Sequence, residues 1–406
     1  MKILIINKFL YPAGGAETYL LGLGRQLQAM GHRVEYFGMD HPDRVVGNRA
    51  EAYAPRMEFH GGRLLQKLTY PVRIIYSAPA RRALGRVLED LQPDVCLLNN
   101  FNFQLTPSVI LEIRNWRRKT GCTCKLIYTA HDYQLVCPNH MCRNPGTGEN
   151  CERCLNGSFL HCIRGRCIHN SLPRSMLGAL ESTLWHGLGI YRGFDRIICC
   201  SRFLKTKLDR DPVLREKTAV LHNFVQKPQG DSREKQDYVL YFGRMTPEKG
   251  ISDLLQAAAQ LPHIPFLLAG SGPLEQLRQL PNVIWLGFQS GEDLKDLIRR
   301  AQFTVCPSRW YENCPMSVLE SISLGTPVLG ADIGGIPELI RPGQTGLLFE
   351  SGNANSLEQS IRQLWEDRER LARMAEACRQ ESFDTPRQYA ENLLAMIDEI
   401  QKEEQP

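Results

Sequence analysis

Short apolar runs alternate with longer amphipathic stretches along the first half of the chain. The apolar runs occupy residues 2–6, 33–38, 95–98, 125–129 and 196–200. A stretch of helical length, 16–30, separates the first two runs. Continuous apolar runs are typical of strands that are buried on both faces of a parallel sheet, with the intervening helices covering those faces. The pattern therefore predicts an α/β fold built on a parallel sheet.

The second half of the chain repeats this alternation after a polar stretch. Its apolar runs occupy residues 238–242, 266–269, 283–286, 303–306 and 327–330, and helical stretches follow at 356–380 and about 386–401. The polar stretch 226–236 contains Pro228 and Gly230 and is typical of an interdomain linker. We therefore expect two doubly wound Rossmann-like domains, 1–225 and 226–385, with the helix at about 386–401 packing back on the first.

Candidate ligand-binding residues of the first domain come directly after its strands. Gly14 and Gly15 precede the first helix, where backbone N–H groups and the helix N-terminus favour an anion. His131 follows the fourth run, at the edge of the sheet where ligands of such folds bind. An ordinary turn and a packed histidine are the alternative readings of these residues.

The second domain has two charged clusters in equivalent places. Arg244 and Lys249 follow its first strand, five positions apart, and two cations across a tight turn can converge on one diphosphate. Two solvated surface cations are the alternative. Glu312 precedes a helix that Pro315 begins, and Glu320 lies on that helix, so the two carboxylates can bind different hydroxyl groups. The backbone amides of Met316 and Ser317 stand at the helix start, where phosphate oxygens bind.

The charge of the chain is divided unevenly between the two halves. The net charge of +5 over 406 residues combines +13 for residues 1–225 (31 Lys and Arg against 18 Asp and Glu) with −8 for residues 226–406 (18 against 26). A basic domain favours anionic partners, although a solvated basic surface has the same composition. Nucleic acid is disfavoured because no aromatic platforms alternate with the cations. No apolar run approaches the length of a spanning helix, and the N-terminus reads as a strand, so we expect a cytoplasmic or peripheral protein.

Six of the fourteen cysteines crowd into residues 137–167. They are Cys137, Cys142, Cys151, Cys154, Cys162 and Cys167. Thiolates at such spacings can close a tetrahedral zinc site, and Cys151, Cys154, Cys162 and Cys167 are the preferred ligands, with Cys137 and Cys142 as alternates. Free thiols, and a disulfide or iron–sulfur cluster, remain open as alternatives.

Basic and apolar residues are interleaved over residues 63–87. The cations are Arg63, Lys67, Arg73, Arg81, Arg82 and Arg86, and the apolar residues are Leu64, Leu65, Leu68, Ile74, Ile75, Leu84 and Val87. The mixture fits amphipathic helices that lie on an anionic membrane surface. It fits equally helices that bury the apolar side in the domain core.

Five motifs of the second half occur in an order that resembles a known family. They are Gly-Arg-x3-Glu-Lys-Gly at 243–250, Gly-Ser-Gly-Pro at 270–273, Glu-x7-Glu at 312–320, Leu-Gly-Thr-Pro-Val at 324–328 and Gly-Gly-Ile-Pro-Glu at 334–338. Together they resemble family 4 of the retaining glycosyltransferases. The resemblance covers nearly the whole chain and implies the GT-B fold, in which two Rossmann-like domains face a central cleft.

The resemblance also implies roles for the candidate residues. Arg244 and Lys249 would bind the diphosphate of a nucleotide-sugar donor, Glu320 the ribose hydroxyls, and Glu312 and His131 the donor sugar. The remaining donor-binding positions would be Gly14, Gly15, Gly243, Gly270, Met316 and Ser317. Catalysis would retain the anomeric configuration without a metal or other cofactor and without a protein nucleophile.

The implied activity is transfer of a sugar, UDP-linked by default, to a saccharide or lipid-linked saccharide acceptor in bacterial surface polysaccharide synthesis. A lipid-linked acceptor favours work at the inner face of the cell membrane. A nucleotide-sugar epimerase and a non-catalytic nucleotide-sugar-binding protein of the same fold are the alternatives. Their sequences would show extra acid–base carboxylates, or loss of the charged residues at 244, 249, 312 and 320.

Overall fold

The structure, a computed structural model, describes residues 1–57, 71–226, 233–274 and 279–403. Packing divides the chain into two compact units. The first unit runs from Met1 to His222 and includes the chain from Pro386 on, and the second is Asn223–Thr385. The chain therefore passes between the two units twice.

Each unit is built on one six-stranded, wholly parallel sheet. The strands of the first are β1 (Lys2–Ile6), β2 (Arg33–Phe37), β3 (Val95–Leu98), β4 (Lys125–Ala130), β5 (Arg196–Cys199) and β6 (Thr218–Val220), in the order β2-β1-β3-β4-β5-β6. Those of the second are β7 (Val239–Phe242), β8 (Phe266–Ala269), β9 (Val283–Gly287), β10 (Phe303–Cys306), β11 (Val328–Ala331) and β12 (Gly346–Phe349), in the order β12-β11-β10-β7-β8-β9. The inner strands are apolar and buried, as a sheet covered on both faces requires.

Helices join the strands and cover the sheets. They are α1 (Gly15–Ala29), α2 (Ala78–Leu91), α3 (Ser108–Thr120), α4 (Leu160–Arg164), α5 (Leu172–Gly187), α6 (Arg202–Leu208), α7 (Pro212–Arg215), α8 (Ile251–Ala259), α9 (Gly291–Arg300), α10 (Met316–Ser323), α11 (Ala354–Glu366), α12 (Arg368–Gln380) and α13 (Pro386–Glu403). The helix α13 packs on α1, where the hydroxyls of Tyr19 and Tyr389 share a buried hydrogen bond of 2.7 Å. No helix in the described ranges is long and apolar enough to cross a membrane.

The order of the strands places a switch point in each sheet. In the first sheet, β1 lies between β2 on one side and β3 on the other, so the chain changes direction across the sheet at β1. In the second, β7 has β8 on one side and β10 on the other. The loops that leave the carboxyl ends of two such neighbouring strands diverge, and ligands of open α/β sheets bind in the crevice between them.

The structure divides the single helix that the sequence predicts over 356–380. The backbone of Asp367 leaves the helical region, with φ −106° and ψ 77°, between α11 and α12. Its carboxylate accepts a hydrogen bond of 2.9 Å from the Arg370 backbone N–H. Asp is a favoured N-cap because it satisfies a backbone donor of the first turn. The prediction of one helix is therefore wrong at this residue.

The apolar side of α2 faces the core of the first unit. Leu84 and Val87 are fully buried, whereas Arg82 and Arg86 are exposed. Arg81 pairs with a carboxylate of α3, with its Nε 2.5 Å from the carboxylate oxygen. A membrane-facing role for Leu84 and Val87 is therefore wrong. Other members of the interleaved stretch lie outside the described residues: Arg63, Leu64, Leu65, Lys67 and Leu68.

Candidate active site

An ion pair stands at the switch point of the second sheet. Lys249 Nζ lies 2.6 Å from Glu312 Oε1. Lys249 lies in the loop that follows β7, and Glu312 lies in the loop that follows β10. Because β7 and β10 are neighbours at the switch point, the fold alone brings together two residues 63 positions apart.

The surroundings keep Glu312 ionised although it is buried. The residue exposes 6% of its surface, and burial by itself opposes ionisation of the carboxyl group. The Lys249 ammonium and hydrogen bonds from Lys249 and the Ser308 hydroxyl outweigh this effect and lower the pKa of Glu312. The ammonium also lies 5.2 Å from the centroid of the Trp310 ring, within cation–π range. A fixed positive charge and a fixed negative charge therefore lie side by side.

Two glycines allow the backbone to approach this ion pair closely. Gly250 follows Lys249 with φ +73°, and a Cβ there would overlap a carbonyl of the loop after β10. Gly334 has φ +63°, and a Cβ there would overlap the backbone of Glu312. The Gly335 backbone N–H donates a 2.7 Å hydrogen bond to the Glu312 carbonyl. Only glycine adopts these conformations readily, so the glycines of the two motifs position the loop that carries Glu312.

Glu320 has the opposite electrostatic character from Glu312. It is half-buried on α10, and the described residues offer its carboxylate no hydrogen-bond donor. Burial raises the pKa of Glu320 to about 7, and the charge of Lys295 opposes this only in part. The backbone N–H groups of Met316 and Ser317, in the first turn of the same helix, have no acceptor within the helix. An acceptor for hydroxyl groups and donors for an anion thus belong to one helix.

Arg244 and the neighbouring glycines occupy the start of the loop after β7. The Arg244 side chain is 64% exposed, and its Nη2 lies 3.9 Å from the Glu248 carboxylate. Gly243 and Gly270 directly follow β7 and β8, and a Cβ on Gly270 would overlap the Gly243 carbonyl. The structure therefore leaves the Arg244 guanidinium open to solvent and does not bring it into the ion pair of Lys249 and Glu312.

A second ion pair supports the same two loops. The Arg309 guanidinium donates two hydrogen bonds to the buried Asp253 carboxylate, one of them 2.5 Å long. The Arg309 backbone N–H donates to the Glu248 carbonyl at 2.9 Å. Sequence reasoning missed both Asp253 and Arg309. The signal was weak, because a carboxylate in a first helical turn is common and Arg309 follows its strand without a motif.

His131 lies at the carboxyl edge of the first sheet and is neutral. Its Nε2 lies 2.9 Å from Asn99 Oδ1, and its ring meets the Tyr19 ring edge-on with centroids 4.9 Å apart. Burial lowers the pKa of His131 to about 4, and the charge of Asp132 opposes this only in part. At neutral pH the ring can donate or accept a hydrogen bond without carrying charge. Asn99 was missed although it directly follows β3, the position that marks ligand-binding residues in this fold.

Gly14 and Gly15 form the start of α1, beside an asparagine that sequence reasoning also missed. Gly14 is extended, with φ −179°, and Gly15 is the first helical residue. The first turn carries the buried Glu17, whose carboxylate accepts a hydrogen bond of 3.1 Å from Asn7 Nδ2. Asn7 Oδ1 accepts from the Asn100 backbone N–H at 3.0 Å, which ties the loops after β1 and β3 together at the switch point. A carboxylate therefore already occupies part of the electropositive helix start.

The six clustered thiols line one small cavity of about 10 Å³ in the first unit. Cys137 shares a hydrogen bond with Cys142, and Cys162 shares one with Cys167. All fourteen cysteines lie in described residues and carry free thiols, so the disulfide alternative does not hold in this structure. Within the described ranges, no three or more Cys, His, Asp or Glu side chains are arranged to hold a metal ion. The structure thus brings the six thiols to one cavity, whereas the zinc site stays a prediction.

Comparison with known proteins identifies the family. Residues 13–227 match the family described as Glycosyltransferase Family 4, and residues 223–381 match the family described as Glycosyl transferases group 1. The chain belongs to glycosyltransferase family 4.

Individual relatives agree with this assignment. An uncharacterized glycosyltransferase of Methanocaldococcus jannaschii is 30% identical over 177 residues, which are 42% of this chain and 49% of the relative, so the match spans about half of that protein. An uncharacterized 42.6 kDa protein in the cps region of Klebsiella pneumoniae is 25% identical over 84% of this chain and 88% of its own length. The crystal structure of Anabaena HepE in complex with UDP superposes with a TM-score of 0.68 at 17% identity, covering 98% of this chain and 100% of HepE. The two α/β units and this full-length similarity show the GT-B fold.

Proposed function

We propose that this glycosyltransferase moves a sugar from a nucleotide diphosphate donor to a saccharide or lipid-linked saccharide acceptor with retention of anomeric configuration. The ion pair of Lys249 and Glu312 at the switch point is the observation that carries the proposal. A leaving diphosphate gains negative charge in the transition state, and a preorganised ammonium in a partly dehydrated site stabilises that charge. The adjacent Glu312 carboxylate accepts hydrogen bonds from hydroxyls of the donor sugar.

The nucleotide occupies the surface of the second unit. Glu320 accepts the ribose hydroxyls, because its carboxylate is half-buried and lacks a donor among the described residues. The amides of Met316 and Ser317 donate to phosphate oxygens at the start of α10. Arg244, which is open to solvent, closes on the diphosphate when the donor binds. UDP is the nucleotide we propose, since HepE, which shares the fold, was solved with UDP.

The chemical step needs no protein nucleophile. The bond between the anomeric carbon and the diphosphate oxygen breaks, the acceptor oxygen bonds to the same face of that carbon, and the acceptor proton passes to the departing phosphate. The protein positions the reactants and supplies electrostatics. Neutral His131 contributes a hydrogen bond to the donor sugar and no charge. A metal is not required in this scheme.

The biological setting that we propose is bacterial surface polysaccharide synthesis, with the enzyme acting peripherally at the inner face of the cell membrane. A lipid-linked acceptor explains why the first domain is strongly basic, with a net charge of +13 over residues 1–225. The reaction itself does not depend on this setting.

A screen of nucleotide sugars tests the proposal. A true donor at one hundred times its dissociation constant raises the free energy of unfolding by about 2.7 kcal/mol, which a thermal shift detects. The stabilising donor is then incubated with saccharide acceptors, and the anomer of the product is read by NMR. Conversion of the donor to its epimer would support an epimerase instead. Donor binding without turnover of any kind would support a non-catalytic binding protein.

The roles of the cations are tested separately. Lys249→Ala should lower kcat/KM by the equivalent of about 2–4 kcal/mol, as loss of an oxyanion donor does in other enzymes. Arg244→Ala should have an effect of the same size if the guanidinium closes on the diphosphate. Arg373→Ala, a change of an exposed arginine on α12, serves as the matched control. Near-native kcat/KM for both site variants would refute the assignment.

A further inference from the structure

The helix α5 of the first unit presents a continuous apolar stripe to solvent. Leu172, Met176, Leu180, Leu184 and Leu188 recur every fourth position, and each exposes between 40% and 61% of its surface. Residues four apart lie on one face of a helix, so these side chains form a single row along α5 and its C-terminal cap. Isolated exposed leucines are normal in soluble proteins, but a contiguous row of this length marks an interaction surface.

The opposite face of α5 is firmly packed. Trp185 is buried, and its Nε1 donates a hydrogen bond of 3.0 Å to the Ile75 carbonyl. Gly178 and Ala179 are also buried, and Ala179 packs in a cluster with Cys154. The helix is therefore fixed in the unit by one side, and the exposure of the other side does not come from loose packing.

The segment of chain that contains the stripe has more exposed cations than exposed carboxylates. From residue 153 to residue 194 the chain has five arginines, and all of them are exposed: Arg153, Arg164, Arg166, Arg174 and Arg192. The one carboxylate in this run is Glu181, which is 2% exposed and whose pKa burial raises to about 8. None of these arginines forms an ion pair with a described carboxylate, and Arg153 shares a hydrogen bond with Cys151. The exposed residues of this run are therefore apolar, cationic or neutral and polar, and none of them is a carboxylate.

Resting on the peripheral location proposed above, we infer that the α5 face docks on an anionic lipid bilayer. The α5 face consists of the apolar stripe and the five exposed arginines named above. The apolar side chains enter the boundary between headgroups and acyl chains, and the guanidinium groups bind lipid phosphates. The charge favours this occupant over a protein. Interfaces between proteins are enriched in aromatic anchors, and every aromatic residue from 153 to 194 is buried.

Flotation of the full-length chain with vesicles tests the inference. The vesicles are phosphatidylcholine alone and phosphatidylcholine mixed with phosphatidylglycerol. Leu180→Gln with Leu184→Gln removes part of the stripe without adding charge, and Val45→Gln is the matched control at another exposed apolar residue of the same unit. We expect native protein and the control variant to float with the anionic vesicles to the same extent. The double variant should bind these vesicles at least about tenfold more weakly.

A second pair of variants tests the charge. Arg166→Gln with Arg174→Gln should weaken binding to the anionic vesicles by about tenfold or more, because each basic residue near the surface contributes. Arg82→Gln with Arg86→Gln, an equal change on α2, should leave binding nearly unchanged. Equal binding of neutral and anionic vesicles, native binding by the α5 variants, or equal loss in the α2 variant would each overturn the inference. Thermal stabilisation by UDP, the nucleotide proposed above, is measured on the same samples. Its absence in native protein would count against the proposed function and leave the vesicle result intact.

Discussion

Replacing Glu320 by glutamine should stabilise the folded protein without ligand and weaken its binding of nucleotide. In the folded state the pKa of this carboxyl group is raised from 4.5 to about 7 by burial. The folded protein therefore binds more protons than the unfolded chain between these values, and its free energy of unfolding is lowered progressively as pH rises from about 4.5 to 7. The difference in pKa corresponds to roughly 3–3.5 kcal/mol at pH 8. Glutamine has nearly the same shape and no charge, so Glu320→Gln removes this destabilisation.

Urea unfolding at pH 8 and pH 5 measures the effect. Glu320→Gln should raise the free energy of unfolding by roughly 3–3.5 kcal/mol at pH 8 and by much less at pH 5. Glu312→Gln provides the contrast, because the Glu312 carboxylate is ionised and paired with Lys249. Loss of that carboxylate leaves the Lys249 ammonium unpaired, which should lower the free energy of unfolding by about 3 kcal/mol. A nucleotide titration of the same variants completes the test. Equal destabilisation by both substitutions at pH 8 would refute the reasoning.

Three further outcomes are expected. Gly334→Ala should lower both stability and kcat/KM, measured by unfolding and initial rates, because a Cβ at φ +63° overlaps the Glu312 backbone. Burial lowers the pKa of His131 from 6.5 to about 4, so the unfolded chain binds a proton at this residue that the folded protein does not. The free energy of unfolding should therefore fall by roughly 2 kcal/mol between pH 7.5 and pH 5. His131→Gln should abolish this pH dependence in matched urea titrations. Protein purified without added metal or chelator should contain about one zinc per chain bound by thiols of residues 137–167. If elemental analysis finds no metal and the protein has unchanged stability, the six cysteines are free thiols and the zinc prediction is wrong.

Much of the fold follows from the pattern of apolar runs. Inner strands such as β1 and β4 are buried on both faces, so their sequences are continuously apolar and their positions are predictable. The edge strands β6 and β12 were not predicted, since each is only three or four residues long and partly exposed. The break at Asp367 depends on one cap within an otherwise helical pattern.

The site is predictable in position but not in electrostatics. Residues directly after strands were expected to gather at the sheet edge, and Lys249 and Glu312 do so. Glu312 and Glu320 are the same residue type eight positions apart, yet their pKa values move in opposite directions. The cause is that Lys249, distant in sequence, pairs with Glu312 through a hydrogen bond, whereas Lys295 acts on Glu320 by its charge alone. The stripe on α5 escaped notice for a related reason, because an apolar period alone does not tell which helix face turns inward.

The return of α13 to the first unit has a consequence for the order in which the protein folds during synthesis. Tyr389, Leu393 and Ile397 are buried, and the hydroxyl of Tyr389 completes a pair with Tyr19. The first unit therefore cannot complete its packing until the residues of α13 have been made, whereas Asn223–Thr385 is contiguous and has all of its residues earlier. A nascent chain stopped at residue 385 should hold the second unit folded while α1 still exposes the side chains that α13 covers. Those exposed side chains would be a target for chaperones until α13 has been made and has packed on α1.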